Sequence, residues 1–172
     1  MSFSYSFLSQ KIIACARCIY FDMKLCKIHK IKEIYGVPLT SSPAAADTIY
    51  RHFSENKESI DDYDYIVTGD LADVGSELLI ELLKKDGMDI SKKHLDCGSM
   101  IFNNSVQGTN SGGSGCGCIA SVFCAYFAPK FVNNEIKKAL FVGTGALMSP
   151  TTALLGETIV GIAHGITVEN EV

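Results

Sequence analysis

The 172-residue sequence lacks a long hydrophobic run, a basic stripe and a regular cysteine framework. The apolar segment at residues 12–21 is short and is interrupted by Arg17, so it predicts neither a membrane span nor a secretory signal. The net charge is −4 and no lysine-rich or arginine-rich face is evident, so nucleic acid is not expected as a partner. The seven cysteines are an odd number, and several lie in apolar or glycine-rich settings typical of reduced thiols. They favour a cytoplasmic location.

Potential metal ligands are few and badly spaced. Cys15 and Cys18 are followed by Cys26 and His29, which suggests a zinc knuckle only weakly, because a zinc site needs four ligands at better spacing. We therefore expect neither a bound metal nor a cofactor.

Strand and helix patterns alternate along the chain, which predicts an α/β fold: a mixed sheet with helices packed on its faces. Ser42 and Pro43 favour the start of a helix, and its apolar face continues to about Lys57. Tyr65-Ile66-Val67 predicts a short buried strand. A second helix follows, with Asp73 as its predicted N-cap and a wide stripe of leucines.

The second half of the chain predicts further strands and a buried helix. The strands are predicted at residues 95–102, 139–142 and 158–168, with a polar loop at 103–111. Residues 119–127 have few polar positions, so they predict a mostly buried helix that stops at Pro129. Residues 143–146 predict a glycine turn, and Leu140 and Ile166 are predicted to be antiparallel neighbours.

Glycine dominates residues 112–118, directly before the predicted buried helix. Glycine lets a ligand approach the main chain closely, and the start of a helix has unpaired N–H groups at the positive end of its dipole. The segment therefore predicts a site for an anion or a carbonyl oxygen. The alternative is a tight turn in which the glycines serve packing alone.

Two polar residues follow the predicted strand at 65–67. Thr68 and Asp70 would lie at its carboxyl end, where open α/β sheets tend to bind ligands. Asp70 could equally cap the turn, because aspartate is a favoured turn residue.

Five motifs in order resemble one family, that of stage V sporulation protein AD: residues 43–49, 63–71, 96–98, 112–118 and 161–165. Several motifs in the same order are far more specific than one glycine cluster. The resemblance implies a thiolase-like fold adapted to bind dipicolinic acid and to assist its uptake into the developing forespore. It also implies a location at the forespore inner membrane, contact with other stage V sporulation A-operon membrane proteins, and a possible homodimer.

The resemblance begins at about Lys24 and runs to the end of the chain. We therefore expect a thiolase-like C-terminal domain at residues 24–172 and a non-family segment at 1–23. Only the second half of the family's fold is expected here, and the resemblance places the acylated cysteine of the related enzymes in the first half. His164 is the nearest candidate for a proton acceptor, although a histidine in an apolar strand is more often a core residue.

The resulting expectation is a binder of dipicolinic acid without catalytic residues. Its expected ligand-binding residues are Thr68, Asp70, Cys97, Gly113, Ser114, Gly115 and Cys116. The alternatives are an acyltransferase of thiolase or ketoacyl synthase type, which rests on fold analogy, and an inactive truncated fragment.

Overall fold

The computed structural model describes residues 13–15, 36–147, 151 and 160–170. The predicted non-family segment lies almost wholly outside the described residues, as do Cys18, Cys26 and His29 of the weak zinc pattern. Within the described ranges, no helix combines the length and apolarity needed to cross a membrane.

Helices and strands follow one another as predicted for an α/β chain. The strands are β1 (Ile13–Cys15), β2 (Tyr65–Thr68), β3 (His94–Asp96), β4 (Lys138–Leu147) and β5 (Val160–Glu169). The helices are α1 (Gly36–Asn56), α2 (Ala72–Lys85), α3 (Cys97–Ile101), α4 (Asn104–Gln107), α5 (Cys118–Val122) and α6 (Ala128–Val132), with a 3₁₀ turn at Ile60–Asp62 and a π-helical segment at Phe123–Phe127.

The strands form a five-stranded mixed sheet in the order β1-β5-β4-β2-β3. Strand β2 pairs in parallel with β3 and β4, while β5 pairs antiparallel with both β4 and β1. The predicted fold class is confirmed, and the arrangement is consistent with one half of a thiolase-like fold. The predicted antiparallel pairing is confirmed as well, with the register one residue away, because Leu140 faces Thr167 and Phe141 faces Ile166.

Hydrophobic cores form on both faces of the sheet. On one face, the predicted apolar stripe of α1 is buried at Ala45, Ile49 and Phe53 and packs with α2 against β2 and β4. On the other face, Phe127 and Phe131 pack with residues of α5 against the sheet. Each fully buried side chain of this size stabilises the fold by roughly 1.5–3 kcal/mol.

The predicted start of α1 is wrong. The helix begins at Gly36, so Pro43 lies inside it and Ser42 is not its N-cap. Instead, the Ser42 hydroxyl donates to the Gly75 carbonyl of α2 over 2.8 Å. The buried contact between the two helices thus overrides a local pattern that is typical of a helix start.

Four further predictions of secondary structure are wrong. The strand expected at 95–102 ends at Asp96 and gives way to α3, and the loop expected at 103–111 contains α4. The glycines of residues 143–146 are extended within β4, because β5 pairs with them along their whole length. The predicted buried helix continues past Pro129, which is the second residue of α6 and follows the π-helical segment directly.

This long helical segment is also less buried than predicted. Cys124 is exposed and Tyr126 is 41% exposed. Apolar residues of this segment therefore lie both on the side that packs on the sheet and on a side that no described residue buries.

A polar cluster lies where β2 and β4 begin, opposite the carboxyl end of β2. The buried Tyr63 hydroxyl donates to Glu58, and the His52 Nε2 atom lies 2.7 Å from the Tyr63 hydroxyl oxygen. The Lys138 Nζ atom lies 2.9 Å from the Glu58 Oε1 atom and 4.6 Å from the centre of the Tyr63 ring. Burial and the Glu58 hydrogen bond raise the pKa of Tyr63 to about 12, so the phenol stays neutral and links α1 to the sheet.

Candidate functional site

The predicted site residues come together at the carboxyl ends of the parallel strands β2 and β3, beside the middle of β4. Thr68 ends β2, and it is paired with Asp96 at the end of β3 and with Val142 of β4. Ligands bind preferentially at this end of an open α/β sheet. The chain segments that leave these strands therefore supply the candidate site.

Asp96 connects these segments to one another. It is 4% exposed, and its carboxylate accepts hydrogen bonds from the Thr68 hydroxyl at 2.6 Å and from the amides of Leu71, Ala72 and Ser99 at 3.0, 2.8 and 3.1 Å. Burial raises the pKa of Asp96, and these hydrogen bonds oppose that effect. One buried carboxylate thus holds the start of α2, the start of α3 and the end of β2.

In the sequence, Asp96 is recognisable only as part of the motif at residues 96–98. The available signal was an aspartate between a strand and a following helix, which is a favoured N-cap position. The side chain does cap α3 through the Ser99 amide. Its link to Ala72, which has a left-handed φ of 55°, depends on the tertiary fold.

Thr68 is fully buried between two partners. Its hydroxyl donates to Asp96, so it accepts from the His94 Nε2 atom at 2.9 Å. Burial lowers the pKa of His94 to about 4, which keeps the ring neutral. The hydrogen bond to the Thr68 oxygen requires the proton on Nε2. To donate to a ligand, the Thr68 hydroxyl would have to give up its hydrogen bond to Asp96.

Asp70 ties β2 to β4. It is 6% exposed. Its Oδ1 atom accepts from the Thr144 hydroxyl at 2.6 Å, and its amide donates to the Thr144 hydroxyl oxygen at 3.2 Å. Thr144 was not among the predicted site residues, because the glycines around it suggested a turn. Its position beside Asp70 follows from the extension of β4 past the end of β2.

The first part of the glycine run packs tightly against α3. The Gly113 amide donates to the Gly98 carbonyl over 2.9 Å, and Gly112 has a φ of 116° that L side chains rarely adopt. A Cβ atom at Gly98 would lie 2.1 Å from the Gly113 oxygen. The packing interpretation therefore holds for Gly112 and Gly113.

The second part of the run is open. Residues 114–117 are exposed, and a Cβ atom at Gly115 or Gly117 would meet nothing within 4 Å. The amides of these four residues have no hydrogen-bond acceptor among the described parts of the chain, whereas the following Cys118 amide donates to the Gly115 carbonyl over 3.0 Å. The exposed segment at 114–117 thus offers main-chain donors at the end of the sheet that carries Thr68 and Asp70.

The buried cysteines of the site are not activated. Cys97 is fully buried, and burial raises its pKa to about 12. Burial also raises the pKa of Cys118, while Cys116 is exposed. No group of His, Cys, Asp or Glu side chains suited to a metal ion occurs within the described ranges.

Asp73 organises the loop that leads to the glycine run, and its predicted role as the cap of α2 is wrong. The α2 N-cap residue is Leu71. The Asp73 carboxylate instead accepts from the Ser99 hydroxyl and the Asn104 amide, each at 2.6 Å, and its own amide donates to the Ser111 carbonyl over 2.9 Å. These contacts hold α3 and α4 beside the start of α2.

A cavity of about 340 Å³ opens on β4 and β5. It is lined by Gly143, Thr144, Gly145, Ala146, Ile162 and His164. His164 is exposed, so its interpretation as a core residue is wrong. The cavity adjoins the Asp70–Thr144 contact, and therefore lies at the same end of the sheet.

Comparison with known proteins gives a consistent result. The family model of stage V sporulation protein AD matches residues 29–169. Stage V sporulation protein AD of Bacillus subtilis (strain 168) is 44% identical over 139 residues, which cover 81% of this chain and 41% of that protein. The chain thus spans about two fifths of the length of this curated relative. With most of its length matched, the chain belongs to the stage V sporulation protein AD family.

Proposed function

We propose that this member of a sporulation protein family binds dipicolinic acid and assists its uptake into the developing forespore. One observation carries the proposal: the exposed segment at 114–117 presents uncommitted amides at the carboxyl ends of the parallel strands. Such amides favour an anionic ligand.

The ligand is a planar ring with two carboxylates, so it needs hydrogen-bond donors and little else. The amides at 114–117 and the Ser114 hydroxyl supply donors that no described residue uses. Gly113, directly before this segment, packs against Gly98, the neighbour of Cys97 in the chain. Asp70 has the same charge sign as the ligand, so its role is to position Thr144 through their 2.6 Å contact rather than to touch a carboxylate.

Acyl transfer has weaker support. That chemistry requires a thiolate beside a proton acceptor, and the pKa of about 12 keeps the buried Cys97 protonated at neutral pH. Binding without chemistry needs no such group.

The family resemblance also supports a proposed location and proposed partners in the cell. We place the protein on the cytoplasmic side of the forespore inner membrane, beside other stage V sporulation A-operon membrane proteins, and a homodimer is part of the same proposal. These partners would receive the dipicolinate that the chain binds.

Isothermal titration of the purified chain with pyridine-2,6-dicarboxylate tests the binding. Gly115→Pro deletes one exposed N–H, and Gly115→Ala is its matched control, because a Cβ atom has free space at this position. We expect at least tenfold weaker binding by the proline variant and wild-type binding by the alanine variant. No heat from the wild-type chain, as an inactive fragment predicts, or equal affinities of the two variants would refute the proposal in this form.

A further inference from the structure

Two glycines leave a bare patch on one face of β4. A Cβ atom at Gly145 would meet nothing within 4 Å, and one at Gly143 would meet only the His164 carbonyl oxygen at 3.9 Å. Glycine inside a strand weakens it and often marks a place where a ligand approaches the backbone. A Cβ atom would fit at either position without a clash, so packing within the described chain does not explain these two glycines.

Neighbouring side chains of β5 border the patch. Gly143 is paired with His164 and Gly145 with Ile162, and directly paired residues point to the same face of a sheet. Both side chains are exposed. The resulting cavity of about 340 Å³ has a peptide floor, one apolar neighbour and one imidazole, and its size is within the range of small-molecule sites, about 300–1,000 Å³.

The patch shares a face and an end of the sheet with the exposed segment at 114–117. Alternate residues of a strand share a face, so Gly143 and Gly145 are on the face of Phe141, whose ring packs 5.1 Å from that of Phe123 in the helical segment after the glycine run. The pKa of Cys118, at the start of that segment, is raised by burial and by the nearby charges of Asp70 and Asp96. Both features therefore lie on the same face of the sheet, beyond the end of β2.

We infer that Gly143 and Gly145 form the floor of a subsite for a planar aromatic carboxylate, with Ile162 against the ring and His164 donating an imidazole N–H to a carboxylate. This inference rests on the proposed function and deepens it, because it names the groups that select a flat ring. A neutral or a protonated imidazole carries at least one N–H, and within the described residues no hydrogen bond engages the His164 ring.

Two variants and a control test the subsite by titration with pyridine-2,6-dicarboxylate. Gly145→Val fills the cavity with a residue that strands favour, and we expect at least tenfold weaker binding. His164→Ala removes the donor, and we expect a larger loss of affinity for pyridine-2,6-dicarboxylate than for pyridine-2-carboxylate. Ile166→Ala changes the same face of β5 two residues from His164, outside the cavity lining, and should bind as the wild type does.

The outcomes separate this inference from the proposed function. If the wild-type chain binds and both Gly145→Val and His164→Ala bind equally well, the subsite is wrong while the proposed function stands. If the wild-type chain does not bind, both are overturned. Should Gly145→Val fail to fold, as judged by thermal melting, His164→Ala decides alone.

Discussion

Gly98 and Gly113 lie in direct backbone contact: the amide of Gly113 donates to the carbonyl of Gly98 over 2.9 Å, and a Cβ atom on Gly98 would lie 2.1 Å from the Gly113 oxygen. This contact seats the glycine run on α3. It leaves the following residues free to face solvent.

Replacing Gly98 with alanine should therefore displace the glycine run. The clash involves backbone on both sides, so we expect a loss of roughly 2–4 kcal/mol in the free energy of unfolding, measured by urea titration. Gly117→Ala is the control, because its Cβ atom would meet nothing within 4 Å. Equal stability of the two variants would contradict the described contact.

Stability should fall in mild acid because of His94. Its pKa is lowered from 6.5 to about 4 by burial, so the unfolded chain takes up the proton first, and stability is lost as the pH falls from about 6.5 towards 4. Between about pH 7.5 and pH 5 this group alone should cost about 2 kcal/mol. The check is urea unfolding of the wild type and His94→Gln at both pH values.

The glutamine variant keeps a donor for Thr68 but does not titrate. It should therefore lose less stability than the wild type over this pH range. Parallel losses in the two proteins would show that His94 is not the group responsible.

The Tyr63 hydroxyl should matter for stability. Tyr63→Phe leaves Glu58 and His52 without the buried oxygen that both contact, so we expect a loss of about 1–3 kcal/mol in the free energy of unfolding. Tyr50→Phe is the matched control, because Tyr50 is 41% exposed and its hydroxyl should contribute little. Thermal and urea unfolding of both variants provide the measurement, and identical midpoints would count against the polar cluster.

Thiol reactivity should separate the cysteines of the site. Cys116 and Cys124 are exposed, whereas Cys97 and Cys118 are buried. Because burial raises the pKa of Cys97 to about 12, its thiolate is scarce at neutral pH and alkylation should be slow. Peptide mapping by mass spectrometry after timed treatment with iodoacetamide gives the rate at each cysteine, and Cys97 labelled as fast as Cys116 would contradict the burial and the raised pKa of Cys97.

Patterns that depend on neighbours along the chain were predicted well. The apolar stripe of α1 at Ala45, Ile49 and Phe53 is buried as expected, since its residues recur at the helical period. Strand β2 was also recognised. The end of β2 identified the end of the sheet at which Thr68 and Asp70 lie.

Contacts between distant segments were not predictable in this way. The Ser42 contact of α1 joins residues 33 positions apart, and the contact of Asp96 with Ala72 joins residues 24 positions apart. The extension of β4 through Gly143 and Gly145 depends on pairing with β5. Local preferences for caps and turns are worth only about 1 kcal/mol, so such contacts readily override them.

The glycine run shows most clearly which features follow from the sequence and which follow from the tertiary structure. The sequence by itself determined that residues 112–118 form a flexible, side-chain-poor entry to a helix, because that property belongs to glycine at each position. Only the tertiary structure decided that Gly112 and Gly113 are packed while Gly115 and Gly117 are open. The reason is that the carbonyl of Gly98 and the ring of Phe102 reach the first two glycines, whereas no atom of the described residues comes within 4 Å of a Cβ position at the last two.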